Sequence, residues 1–145
     1  MTFIYRLFPF LLICSFAFSC KKSLSPGDGI ELQTITSFKA TLNGANAGTT
    51  SSAIGNFTGS YNRSTQTLDF TLNYTGLVPT AWHIHNSDNG IIVFSLGSIV
   101  PSPLQSSVSG FSAQEEDDLF QNKYYINIHT AAYPGGEISG IITKQ

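Results

Sequence analysis

The chain has 145 residues, with seven basic against nine acidic side chains and a formal charge of −2. Only 11% of its residues are charged, and no basic cluster exists beyond Lys21-Lys22, so it lacks the electrostatic footprint of a nucleic-acid binder. Its wealth of Ser, Thr, Asn and Gly suits an exported β-protein with polar loops.

The N-terminus reads as a targeting segment. One basic residue, Arg6, precedes an apolar run over residues 7–18. That run has the length of a signal-peptide core and falls short of the roughly 20 residues a spanning helix needs. Ala17, Phe18 and Ser19 lead into Cys20, a pattern that resembles the bacterial lipobox, where the peptide is cut before a cysteine that is then lipidated. Residues 1–19 are therefore expected to be a lipoprotein-type signal peptide, with Cys20 the acylated first residue of the mature chain. Cutting there removes Cys14, leaves no pair for an intrachain disulfide and occupies the remaining thiol. The protein is expected to be exported and tied to the cell membrane or outer membrane, facing the periplasm or the outside. Residues 20–33, with Pro, Gly, Ser and charge mixed, read as a flexible tether.

From residue 34 the pattern is β, and residues 34–145 are expected to form one domain of roughly 110 residues, enough for a single core. Phe38, Ala40 and Leu42 alternate with polar neighbours, and Phe57, Gly59 and Tyr61 repeat the spacing beyond a Gly- and Asn-rich loop. After the turn "NRSTQ", Leu68, Phe70, Leu72 and Tyr74 give the period-two signature of a strand with one buried face. Next comes the strand "AWHIH", then the continuously apolar "GIIVFSL", expected to be buried on both sides or at its ends. Pro101 and Pro103 break the pattern, and "SVSGFSA" predicts another short strand.

"SAQEEDDLFQN" is the one helix-like piece. Ser112 with Glu115 fits a capping box, and the acidic residues of the first turn complement the helix dipole. Glu115 to Asp118 thus read as a capped, solvated helix start rather than a paired-carboxylate site or calcium loop. "KYYINIHT" and "GEISGIIT" are two closing strands joined across "AAYPGG". About eight short strands and one short helix predict an all-β fold, an antiparallel Greek-key-like sandwich or flattened barrel.

The three histidines of the chain lie in two of these strands. Side chains on a strand alternate faces, so with Trp82 and Ile84 inward, His83 and His85 point outward. With Ile126 and Ile128 inward, Tyr125, Asn127 and His129 point outward. Imidazoles at i and i+2 stand roughly 6.6 Å apart along a strand, within reach of one zinc or copper ion bonded about 2 Å from each nitrogen. Asp88 and Glu137 are candidates for a fourth ligand. The alternative is architectural: neutral imidazoles hydrogen-bonding to loop backbone and pinning "NSDNG" and "TAAYPGG" in place.

Three stretches carry a family resemblance. Phe38, Ala40, Leu42 and Gly44 match an F-x-A-x-L-x-G segment. Ala81, His83, Ile84 and His85 match A-x-H-I-H. Tyr125, Asn127, Ile128, His129, Thr130, Tyr133, Pro134, Gly136, Glu137, Ile138 and Gly140 match a long ordered closing motif. Together they resemble the chordin-type CHRD domain over roughly residues 34–143. Ser139 stands where the family often has arginine, and residues 86–90 lead directly into Ile91 in place of a glycine-rich turn with Gly-Pro-Val. The resemblance implies an extracytoplasmic β-sandwich in which Ala81, Ile84, Asn127, Thr130, Tyr133, Pro134, Gly136, Glu137 and Gly140 serve the architecture. It implies no agreed activity in bacteria. A fainter likeness to copper–zinc superoxide dismutases rests on the H-x-H strand and the later strand histidine. The chain lacks their bridging histidine, zinc loop and disulfide.

The reading favoured by the sequence is a non-enzymatic, lipid-anchored CHRD module that needs no cofactor and binds or scaffolds an unidentified protein or ligand partner. The alternative is a zinc or copper module using His83, His85 and His129.

Overall fold

The structure is a computed structural model, described here for residues 35–98 and 101–145. The signal peptide, Cys20 and the tether expected from the sequence lie outside the described residues, as do Ile99 and Val100. Nine strands and one α-helix follow in the order β1 (Ile35–Asn43), β2 (Ile54–Asn62), β3 (Thr67–Thr75), β4 (Pro79–Asn86), β5 (Ile92–Ser95), β6 (Leu104–Ser109), α1 (Ala113–Phe120), β7 (Tyr124–Thr130), β8 (Ile138–Ile141) and β9 (Thr143–Lys144).

Every strand pair is antiparallel. The hydrogen-bonded order is β5-β4-β7-β8-β1-β2-β3-β6, with β9 also on β1. This is an all-β fold whose sheet curls into a nearly closed, flattened barrel. The curl is visible in the rings: Phe70 on β3 meets Trp82 on β4 edge-on at 5.5 Å although those strands are far apart in the sheet.

The alternation read from the sequence fixes the inside. Phe38, Ala40, Leu42, Phe57, Tyr61, Leu68, Phe70, Leu72, Trp82, Ile84, Ile126 and Ile128 are all buried in one core. Gly59 also faces inward, where a Cβ would press on Leu68 and the Phe57 ring. Tyr74 is only half-buried, because β3 runs out of the core at that end.

Two expectations change. "GIIVFSL" is not buried on both sides: β5 is an edge strand, Ile91 and Ile92 are 62% and 46% exposed, and only Val93, Phe94 and Leu96 rest against the core. The apolar run marks one buried face of an edge, since continuous hydrophobicity alone does not separate the two cases. The strand expected over "SVSGFSA" starts earlier, at Leu104, and stops before Gly110, whose φ of +81° turns the chain.

The helix forms as the sequence requires. Ser112 accepts from the Glu115 backbone N–H, and the Glu115 carboxylate accepts from the Ser112 N–H at 2.8 Å. Buried Asp118 ties α1 to the end of β4: it accepts from Asn86 Nδ2 at 3.1 Å and Gln114 Nε2 at 3.0 Å and pairs with Lys123 at 3.3 Å. Glu116 accepts from Tyr61 Oη at 2.9 Å and pairs with Arg63 at 2.7 Å. Glu115 therefore caps the helix as expected, while Glu116 and Asp118 dock it against the barrel rather than standing in solvent.

Phe70 stacks on Phe57 at 5.4 Å and meets Trp82, so it bridges the two walls of the barrel. Phe70→Ala should cost about 3–5 kcal/mol by chemical denaturation. A loss below about 1 kcal/mol would contradict this placement of the core.

Candidate metal centre

The pairing of β4 with β7 brings the histidines together. Their register sets His83 opposite Asn127, His85 opposite Tyr125 and Ala81 opposite His129. With Trp82, Ile84, Ile126 and Ile128 committed to the core, His83, His85 and His129 all fall on the outer face. One ring nitrogen from each lies within 4.8 Å of the other two.

The outer face is not fully solvated there. His83 and His129 are half-buried, while His85 is only 8% exposed and Asn127 only 5%. Outward on a strand therefore does not mean exposed, because the loops after β4 and β7 fold back over these side chains. Tyr125 lies flat on the His85 ring, with centroids 4.9 Å apart and planes 7° apart. The sequence places Tyr125 on this face, and the cross-strand register reveals its contact.

Each loop is held by one imidazole. His85 Nδ1 is 3.0 Å from the Gly90 carbonyl oxygen, and His129 Nδ1 is 2.8 Å from the Pro134 carbonyl oxygen. A carbonyl only accepts, so both rings carry a proton on Nδ1, and in the neutral ring the lone pair is then on Nε2. His83 Nδ1 is 2.9 Å from His129 Nε2, and with His129 in that neutral tautomer it is the donor. His85 Nε2 is left buried with no hydrogen-bond partner among the described residues. Burial, reinforced by the neighbouring His129 and His85 rings, holds His83 below the usual imidazole pKa. Its ring accordingly stays neutral at physiological pH, the form that binds a metal.

The three rings thus present a cluster of nitrogen donors of the kind that could hold one metal ion. An imidazole whose far N–H is fixed on a backbone carbonyl has its tautomer and ring orientation set for a ligand at the other nitrogen. Asp88 and Glu137 do not join the cluster. Asp88 pairs with Lys123 at 3.4 Å on the surface. Glu137 is buried and accepts 2.6 Å hydrogen bonds from both Ser51 Oγ and Thr130 Oγ1.

The remaining residues of the closing motif shape the frame around the histidines. Thr130 and Tyr133 exchange backbone hydrogen bonds of 3.2 and 3.3 Å across the turn that carries Pro134. Gly136 has φ +118°, and a Cβ there would come within 3.0 Å of Asn127 Nδ2. At Gly140 a Cβ would run into the Thr41 carbonyl oxygen, so the glycine lets β8 approach β1. Ser139, in the position where arginine is frequent, pairs with Asn43 of β1 and Asn127 of β7. Glu137 fastens the turn to the loop before β2, so Glu137→Ala should destabilise the domain by roughly 1–3 kcal/mol, as the buried Thr130 hydroxyl and the half-buried Ser51 hydroxyl lose their acceptor. Denaturation midpoints measure this, and an unchanged midpoint would show that the turn needs no such tie.

A search of curated proteins returns no significant match. The family model described as CHRD domain matches residues 38–142, from Phe38 on β1 to Ile142 between β8 and β9, and so takes in all three histidines. The chain belongs to the CHRD domain family.

Proposed function

We propose that this is a lipid-anchored domain of the cell envelope that binds one transition-metal ion through His83, His85 and His129, without catalysing a reaction. One observation carries the metal reading: His85 Nε2, buried and without a partner beside two other imidazoles. A buried acceptor left unmatched costs roughly 1–3 kcal/mol, and a metal ion would satisfy it. The loop carbonyls of Gly90 and Pro134 already supply the outer hydrogen bonds that orient two of the three ligands. A purely architectural role would be met by hydrogen bonds alone, and it leaves that nitrogen unused.

The envelope location rests on the sequence: the apolar run, Ser19 before Cys20, and the polar stretch that follows. Acylation contributes about 0.8 kcal/mol per buried CH₂, and stable anchoring takes more than one chain. The domain is then held near the membrane, periplasmic or surface-facing, where it can bind metal or present it to a protein partner.

Metal analysis of the purified full-length protein should find one zinc or copper per chain after loading and dialysis. His83→Ala and His129→Ala should each abolish that stoichiometry while far-UV circular dichroism stays β-type. Variants that lose roughly 1–3 kcal/mol of stability with no metal to lose would instead establish the hydrogen-bonded cluster as the sole role of the histidines. For the anchor, Cys20→Ser should move the protein out of the membrane fraction. Retention there after a salt wash would refute the lipoprotein reading.

A further inference from the structure

We propose that the outer face beside the histidines carries a second site, a groove that binds a sugar ring, with preference for a sugar that bears a carboxylate. This site stands apart from the metal reading, since no imidazole lines the groove. It has a volume of about 610 Å³ over β1, β7 and β8, within the roughly 300–1,000 Å³ of small-ligand sites. Asn46 and Ala47, in the turn after β1, and Gly135 and Gly136, in the turn after β7, complete its border.

Asn127 points to a ligand. The residue is almost wholly buried, yet the fold does not use its amide. Oδ1 is buried with no hydrogen-bond partner. Nδ2 lies beside Gly136, on the groove side, and makes no hydrogen bond among the described residues. Ser139 stands opposite Asn127 in the β7–β8 register, is also buried and lines the groove, and its hydroxyl is likewise unbonded among the described residues. Buried polar groups are ordinarily matched, so two unmatched neighbours at one groove are a site waiting for a partner. An amide offers both a donor and an acceptor, and its broad terminal torsion lets either end turn to the groove. Its complement is a group that also does both, a hydroxyl or another amide. A bare carboxylate or phosphate only accepts and would leave Oδ1 unmatched.

The sheet decides between hydroxyl and amide. A peptide read through its amides adds to a free strand edge and bonds along the backbone. β7, β8 and β1 are interior strands with a neighbour on each side, so recognition here falls to side chains. Those at the groove suit a sugar. Tyr125 has one ring face on His85, which leaves the other to line the groove next to Ile141, its exposed cross-strand neighbour. Together they offer an apolar platform for the C–H face of a sugar ring, with a polar tip on the tyrosine. Thr41, Thr143 and Asn46 add short polar groups around that platform, of the kind that fix orientation through ring hydroxyls.

Charge sets the preference. Lys39 is the one charged residue that lines the groove, and it enters no ion pair among the described residues. With no carboxylate in the lining, the local potential is positive and favours a ligand with a negative group.

Gly135 supplies a variant that blocks the groove and spares the fold. A Cβ there would meet nothing within 4 Å, and its backbone lies outside the left-handed region. Saturation-transfer NMR of the full-length protein in detergent, with glucuronate, glucose, acetate and trialanine as probes, reads the site. Transfer should reach the ring C–H protons of glucuronate and, more weakly, of glucose, and neither acetate nor trialanine. Gly135→Trp should remove that transfer while far-UV circular dichroism and the melting midpoint stay unchanged. Lys39→Gln should weaken glucuronate about two- to fivefold, the range of an exposed ion pair, and leave glucose unaffected. Absence of transfer to both sugars, transfer that persists in Gly135→Trp, or binding of trialanine in place of the sugars would overturn the sugar site. Acetate that displaces glucuronate at equal concentration would reduce it to an anion site and overturn it as well. Glucose bound as tightly as glucuronate would overturn the preference for a carboxylate.

Discussion

The antiparallel pairing of β4 with β7 is the constraint on which the rest depends. Trp82, Ile84, Ile126 and Ile128 have less than 2% of their surface exposed, so the register of this pair cannot slip by one residue without turning that apolar set to solvent. The same register then leaves His83, His85 and His129 no face but the outer one. The core thus positions the site from behind: the energy that holds the imidazoles in place is hydrophobic, and it is gained by residues that never touch them.

From the front, the site is closed by loops that the histidines themselves fasten. The turn after β4 is held by the His85–Gly90 hydrogen bond and by Ser87 and Asp88, whose backbone N–H groups bond to the Lys123 carbonyl and Asn86 Oδ1. The turn after β7 is held by the His129–Pro134 hydrogen bond and by Glu137, which reaches Ser51 and Thr130. Because carbonyls only accept, these bonds also decide which nitrogen of each ring is free. In His85 and His129, therefore, one nitrogen serves the loop and the other faces the cluster.

Much of this is legible in the sequence, for a physical reason. Period-two alternation is strict where one face of a strand is buried, and it identifies β1, β2, β3, β4 and β7 together with their inward residues. The capping box of α1 is equally local, fixed by Ser112 and Glu115 three residues apart. The histidines could be assigned to one face for the same reason. What the sequence does not carry is long-range. That β5 lies at the edge, exposing Ile91 and Ile92, depends on which strands flank it. That His85 is buried depends on Tyr125 lying across it. Glu137 looks like a spare ligand in the sequence, yet two hydroxyls, one of them from a residue 86 positions away, take both of its oxygens. The ring separations, 4.8 to 6.4 Å between centroids, exist only once the strands are paired.

The central claim is that three imidazoles on this face act as one set of ligands. Long-range ¹H–¹⁵N NMR of the histidine rings, recorded as Cu(I) is added anaerobically, tests it most directly because Cu(I) is closed-shell and each ring nitrogen reports separately. The account predicts that His85 Nε2, His129 Nε2 and His83 Nδ1 shift together and saturate at one equivalent, while Nδ1 of His85 and His129 remain protonated on their loop carbonyls. Rings that titrate independently, or nitrogen shifts that stay unchanged at one equivalent, would contradict it.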